Sequence, residues 1–218
     1  MRIILAALLA LVATVALAQT PEARLFEAID EDKALVAEGI VAGGKVDINA
    51  RNKAGETPLH LAIEKGMREL ATMLVKNARI RVDARSNNSE TPLHIAALHE
   101  DSFFVDLLLA AQADTNVRND DGESPLLWAA MTGNLETMRH LVRRGADFRI
   151  RDLKGNTVLH GAADGGSEEA VRYLLSLGMD PNEKNRYGRT AADVARVRDH
   201  TAIVELLQKF ASSAEGKR

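Results

Sequence analysis

The chain has 218 residues, of which 46% are hydrophobic, 27% are charged and 4% are aromatic, with a formal net charge of −3 and no cysteine. This composition can bury a sizeable core, while the lack of cysteine excludes disulfides and thiolate chemistry. The slight excess of acidic residues argues against nucleic acid as a partner. Because aromatic residues are few and Ala and Leu are abundant, the sequence predicts an all-α protein.

The first eighteen residues have the pattern of a secretory signal peptide. Arg2 precedes an apolar run from Ile3 to Leu17, and Ala16-Leu17-Ala18 has the small-x-small pattern of a cleavage site. The run is shorter than the roughly 20 residues that a membrane-spanning helix needs, and an uncleaved anchor is the alternative. We expect cleavage after Ala18 and a periplasmic or secreted mature chain without membrane attachment. The mature chain keeps 27 basic and 31 acidic residues, a net charge of −4.

Residues 19–49 contain a short linker and two apolar-periodic segments. The segments lie on either side of the acidic run from Asp30 to Asp32, and Gly39 lies inside the second one. Each segment is long enough for a short helix, and Gly39 weakens the second helix. The sequence therefore predicts a helix pair at this end of the chain.

One four-residue pattern returns throughout residues 50–210. It reads Thr-Pro-Leu-His at its first two occurrences, and successive copies are 34, 33, 33 and 33 residues apart. A fixed period of this size predicts one helix pair stacked on copies of itself. The N-terminal helix pair is then one cap of the stack, the last copy is the other cap, and residues 211–218 form a polar tail. The copies begin at Thr57, Thr91, Ser124, Thr157 and Thr190.

The copy that begins at Ser124 illustrates the predicted unit. Ser124 can cap the first helix and Pro125 suits its first position. Gly133 ends this helix, and Gly145 allows the left-handed turn that ends the second helix. Residues 146–156 then form an extended arm and a turn that lead to the next copy.

Four positions depart from this pattern. Ala78 and Gln112 stand where other copies have the glycine after the second helix, and Glu100 and Asp199 replace the glycine between the helices. A left-handed backbone at Ala78 or Gln112 would cost roughly 1–2 kcal/mol. We therefore expect the segment from 78 to 90 to be the least regular part of the stack.

The repeated motif resembles the ankyrin repeat. The resemblance rests on Asp121-Gly122-Glu123-Ser124-Pro125-Leu126, Ala129-Ala130, Gly133-Asn134, Leu141-Val142 and Gly145-Ala146-Asp147, and it extends over residues 22 to 210. It implies an all-α solenoid of helix-turn-helix units joined by extended arms and β-turns. It also implies a non-catalytic module that binds proteins.

The resemblance also implies which residues meet a partner. In ankyrin repeats, residues just before the Thr and seven or eight after it project into a concave groove. Leu98, Met131 and Tyr187 are apolar at such positions, and exposed anchors of this kind mark interfaces. Trp128 could equally be a packing residue between helices. The candidate partner-binding residues are Glu90, Leu98, His99, Asp121, Glu123, Trp128, Met131, Lys154, Asn156, Tyr187 and Arg189.

Metal and catalytic sites are not expected. Equivalent histidines His60, His94 and His160 would lie about 10 Å apart in a stack, too far to share an ion. The resemblance gives each of them a hydrogen bond to Thr and to backbone instead. The sequence has no nucleophile elbow, phosphate-binding loop or His-Glu-x-x-His motif. Gly165-Gly166 matches an anion site at a helix start only weakly, so we expect no cofactor.

These inferences converge on a monomeric, exported protein that binds another protein. The first hypothesis is an adaptor or stabiliser of envelope proteins in the bacterial periplasm. The alternative is an inhibitor or immunity protein that neutralises an exported toxin or enzyme. A hydrolase that uses the acidic turns is a third and weaker hypothesis.

Overall fold

A computed structural model describes residues 20–215, with side chains for residues 20–212, so the predicted signal peptide lies outside the described residues. Within this range the chain forms twelve helices and no strand, which confirms the predicted all-α class. The helices are α1 (Pro21–Asp30), α2 (Ala34–Ala42), α3 (Pro58–Glu64), α4 (Arg68–Val75), α5 (Pro92–Ala96), α6 (Phe103–Ala110), α7 (Pro125–Met131), α8 (Leu135–Arg143), α9 (Val158–Gly165), α10 (Glu168–Ser176), α11 (Ala191–Val197) and α12 (Thr201–Glu215).

The chain divides into two compact units between Asn87 and Asn88, inside the segment from 78 to 90. The first unit holds α1 to α4, with α1 packed on α3 and α2 on α4. Leu25 and Ile29 of α1 are fully buried. The helix pair predicted at the N-terminal end is therefore present.

The second unit holds α5 to α12 in two layers. The first helices of successive repeats, α5, α7, α9 and α11, pack side by side, and the second helices α6, α8, α10 and α12 do the same. Leu126, Leu141, Leu159 and Leu174 lie between the layers with at most 1% of their surface exposed. Burial of these leucines is the main force that holds the repeats together.

Helix starts and stops follow the predicted chemistry. The Ser124 hydroxyl accepts a hydrogen bond from Leu127 N at 3.3 Å, and Pro125 occupies the first position of α7. Gly133 and Gly145 adopt φ of 73° and 92°, a backbone conformation that costs glycine little.

The four positions that lack the usual glycine fall into two groups. Gln112 and Asp199 do adopt positive φ, 64° and 61°. Ala78 does not, because Asn77 forms the turn with its side-chain and main-chain oxygens, which accept from Arg79 N and Ile80 N at 3.0 Å. Glu100 does not either, because α5 already ends at Ala96 and a longer connection leads to α6.

The last helix is longer than predicted. α12 continues to Glu215, into the segment expected to form a polar tail from residue 211. None of the helices in residues 20–215 is both long and apolar enough to cross a membrane.

Candidate functional site

A groove of about 360 Å³ lies in the second unit along α7, α9 and α11 and the loops that precede α9 and α11. Leu127, Gly161, Val194 and Val197 form part of its apolar lining. We call this site the α9 groove. Six of the eleven predicted candidates also line it: Glu123, Met131, Lys154, Asn156, Tyr187 and Arg189.

Two glycines bring α9 unusually close to α7. A Cβ atom on Gly161 would lie 2.6 Å from Leu127 Cδ1, and one on Gly165 would overlap the carbonyl oxygen of Met131. Sequence analysis missed Gly161 and assigned Gly165 to the start of a second helix. Instead Gly165 ends α9, and Gly166 caps it with a φ of 79°. Small residues here let the two helices approach, so Gly165 is part of the packing and not an anion site.

The loops that carry the groove residues form a hydrogen-bonded row. Asp120 N donates to Asn88 O at 3.0 Å, Leu153 N to Asp121 O at 2.8 Å, and Arg186 N to Lys154 O at 2.9 Å. Each loop is thereby tied to the one before it. The row fixes the positions from which groove side chains project.

An Asn or Asp inside each loop shapes it further. The Asn185 side-chain oxygen accepts from Tyr187 N at 3.0 Å and from Arg189 N at 3.1 Å. Asp152 accepts from Asn156 N at 2.7 Å in the same way. These residues come five positions before the repeat's Thr, and that recurring spacing is the sequence signal for their positioning role.

Buried histidine side chains form hydrogen bonds with the backbone of the same loops. His160 Nδ1 accepts from Thr157 N at 3.2 Å, and His160 Nε2 lies 3.0 Å from the Arg189 carbonyl oxygen. Burial lowers the pKa of His160, and the bond to Arg189 offsets this in part. The ring is therefore neutral at pH 7, with its proton on Nε2. The predicted bonds from His to Thr and backbone are confirmed.

Trp128 is half-buried beside the groove and does not line it. Its Nε1 donates to Glu123 Oε2 at 2.7 Å, and its ring meets the His94 ring edge-on at 5.3 Å between centroids. The packing role that sequence analysis left open is thus observed. Trp128 orients the Glu123 carboxylate at the edge of the groove.

The family model described as ankyrin repeats (3 copies) matches residues 25–119, 94–185 and 126–215. Together these matches extend over nearly all of the described chain. The chain belongs to the ankyrin repeat family. Its helix pairs, hydrogen-bonded loops and Thr-His caps are those of an ankyrin solenoid. No curated protein matches the chain.

Ankyrin repeats in general are protein-protein interaction modules, and ankyrin proteins are typically non-catalytic. Among the described residues, no three His, Asp or Glu side chains form a group that could hold a metal ion.

Four further candidates lie outside the α9 groove. Leu98 and His99 follow the short helix α5, where Leu98 is 47% exposed and the His99 ring packs on Phe104 at 4.8 Å. Asp121 is exposed in the loop before α7, and Glu90 is half-buried in the loop before α5. The resemblance to ankyrin repeats implied that they share one surface with the other candidates, but the α9 groove does not include them.

Proposed function

We propose that this ankyrin protein acts after export as an adaptor or stabiliser of envelope proteins, and that it binds them through the α9 groove. The observation that carries the proposal is the convergence of three exposed apolar side chains on one groove. Met131 is 41% exposed, Tyr187 69% and Val197 66%. Single exposed apolar residues are common on proteins, but a cluster in a concave site favours a partner.

The periplasmic location rests on the N-terminal pattern alone. Intact-mass measurement of the protein recovered from cell fractions tests it, and we expect a chain that begins at Gln19. A mass that includes residues 1–18, or recovery from the cytoplasm, would contradict export.

The groove is tested by replacing Met131 and Tyr187 together with Ser. Captured envelope proteins should be lost with this variant while the helical circular dichroism stays unchanged, because both side chains are exposed. A matched control replaces Leu35 and Phe210 with Ser, since these apolar residues are 84% and 41% exposed and do not line the groove. Capture that survives in the first variant, or fails equally in both, would refute the groove as the binding site.

The same experiment separates the adaptor from the alternative. An adaptor should capture more than one client with moderate affinity. An inhibitor or immunity protein should retain a single client in a very tight 1:1 complex and abolish that client's activity.

A further inference from the structure

The carboxylates of the α9 groove are already satisfied within the chain. Asp164 receives two hydrogen bonds from Arg198, at 2.7 and 3.0 Å. Glu123 accepts from Trp128 Nε1 at 2.7 Å and from Asn119 Nδ2 at 3.1 Å. The charge of Asp164 is therefore balanced by Arg198, and one oxygen of Glu123 is occupied by two neutral donors.

Asp152, the most deeply buried carboxylate of the groove at 6% exposure, is satisfied in the same way. It accepts from Asn156 N at 2.7 Å and from Asn156 Nδ2 at 2.8 Å. Both of its oxygens are therefore engaged with Asn156 of the same loop.

Two cations of the same groove are not satisfied. In the part of the chain that the structure describes, the side chains of Lys154 and Arg189 make no hydrogen bond or ion pair, and both are exposed. Their backbones are nevertheless held in place, because Lys154 O accepts from Arg186 N and Arg189 O from His160. A charged side chain without a partner, on a backbone that is held in place, is suited to recognise an opposite charge on another molecule.

We propose that the α9 groove binds a short acidic segment of the partner protein. An Asp or Glu of that segment lies against Lys154 and Arg189, and an adjacent aliphatic side chain packs on Met131 and Val197. This inference rests on the proposed function and specifies the chemistry of the partner.

The neighbouring loop gives the segment a direction. Asp120 and Asp121 are exposed in the loop before α7, and Asp121 O accepts from Leu153 N, next to Lys154. A carboxylate of the partner is repelled there and attracted one loop further along. The acidic residues of the segment therefore lie on one side of its aliphatic anchor.

A phage-displayed library of random linear peptides, selected on the full-length mature chain, tests the proposal. Enriched peptides should carry Asp or Glu on one side of an aliphatic residue. A synthetic copy of an enriched peptide should bind about tenfold more weakly to the Lys154→Glu, Arg189→Glu variant. Raising the salt from about 0.05 M to about 0.5 M should also weaken its binding.

The control is an Arg143→Glu, Lys184→Glu variant, which has the same net charge but changes exposed cations that do not line the groove. It should keep the affinity of the unmodified chain. Failure to enrich any peptide, enrichment of neutral or basic peptides, or equal losses in both charge variants would overturn the proposal.

The Met131→Ser, Tyr187→Ser variant distinguishes this failure from failure of the proposed function. If enriched peptides need Met131 and Tyr187 but have no acidic residues, the groove binds proteins and only the charge assignment is wrong. If neither enriched peptides nor captured proteins depend on these two residues, the proposed function fails as well.

Discussion

His160 Nε2 donates a hydrogen bond of 3.0 Å to the carbonyl oxygen of Arg189, which comes 29 residues later in the chain. A buried imidazole of one repeat thus holds the backbone of a groove residue in the next. His94 does the same for Glu123, with 3.1 Å between Nε2 and the carbonyl oxygen. The groove is consequently coupled to the packing of the repeats beneath it.

Acidification should destabilise the protein through His160. Burial lowers the pKa of this group below its ordinary value of 6.5, so the unfolded chain binds a proton more readily than the folded one. The free energy of unfolding should be highest above pH 6.5 and fall as the pH drops below it. Urea unfolding at a series of pH values from about 7.5 to 5 measures this.

The His160→Gln variant is the control for the pH effect. It should be less stable than the unmodified chain at pH 7.5 and should lose part of the decline below pH 6.5. An unchanged decline would assign the effect to other groups.

Asp193 gives a second, separate pH effect at the last repeat. Its pKa is lowered mainly by the hydrogen bond from Thr190 N, 3.0 Å long. Here too the unfolded chain binds the proton more readily, so this contribution is present above the ordinary value of 3.8 and is lost as the pH falls below it. Asp193→Asn should reduce the change in unfolding free energy between about pH 5 and pH 3. Equal changes in the Asp193→Asn variant and in the unmodified chain would show that the Asp193 carboxylate does not contribute to this pH dependence.

Gly165→Ala should destabilise the second unit because the new methyl group would overlap the backbone oxygen of Met131. Overpacking of this kind costs about 1–3 kcal/mol. Gly161→Ala should cost less, since the atom it meets is the end of the flexible Leu127 side chain. A Cβ atom on Gly39 in α2 would have no neighbour within 4 Å. Gly39→Ala should therefore raise the free energy of unfolding by about 0.5–1 kcal/mol. Urea midpoints in any other order would contradict the close approach of α7 and α9.

The turn after α8 requires a left-handed residue. Gly145 has a φ of 92°, so Gly145→Val should destabilise by at least about 1–2 kcal/mol. Gln112 occupies the equivalent turn after α6 with a φ of 64°, and Gln112→Gly should relieve its strain. Thermal unfolding of both variants tests these two predictions. An unchanged melting temperature for Gly145→Val would rule out the turn assignment.

Leu141 is fully buried between the helix layers. Leu141→Ala should lower the unfolding free energy by about 2–5 kcal/mol through lost burial and a cavity. Leu153, which is 51% exposed, is the control, and its replacement by Ala should change stability by less than about 0.5 kcal/mol. Similar losses at both positions would contradict the core assignment.

The sequence alone determined the repeating unit, because its signals are local. Thr or Ser before Pro starts a helix, glycine after a second helix ends it, and a 33-residue period implies stacking. The repeat pattern does not reveal the backbone at Ala78 and Glu100, where Asn77 and the short helix α5 provide another route. Such alternatives depend on contacts that the repeat pattern does not contain.

Only the tertiary structure decided which of the candidate residues share a groove and which charges remain available. Asp164 and Arg198 are 34 residues apart and pair across neighbouring repeats, whereas the side chains of Lys154 and Arg189 have no partner among the described residues. Trp128 faces His94 and Glu123 instead of the groove. These outcomes depend on how closely adjacent helices approach, which at α7 and α9 is set by the missing side chains of Gly161 and Gly165. A period in the sequence gives the number of repeats, but distances between side chains in different repeats arise only when the repeats are packed.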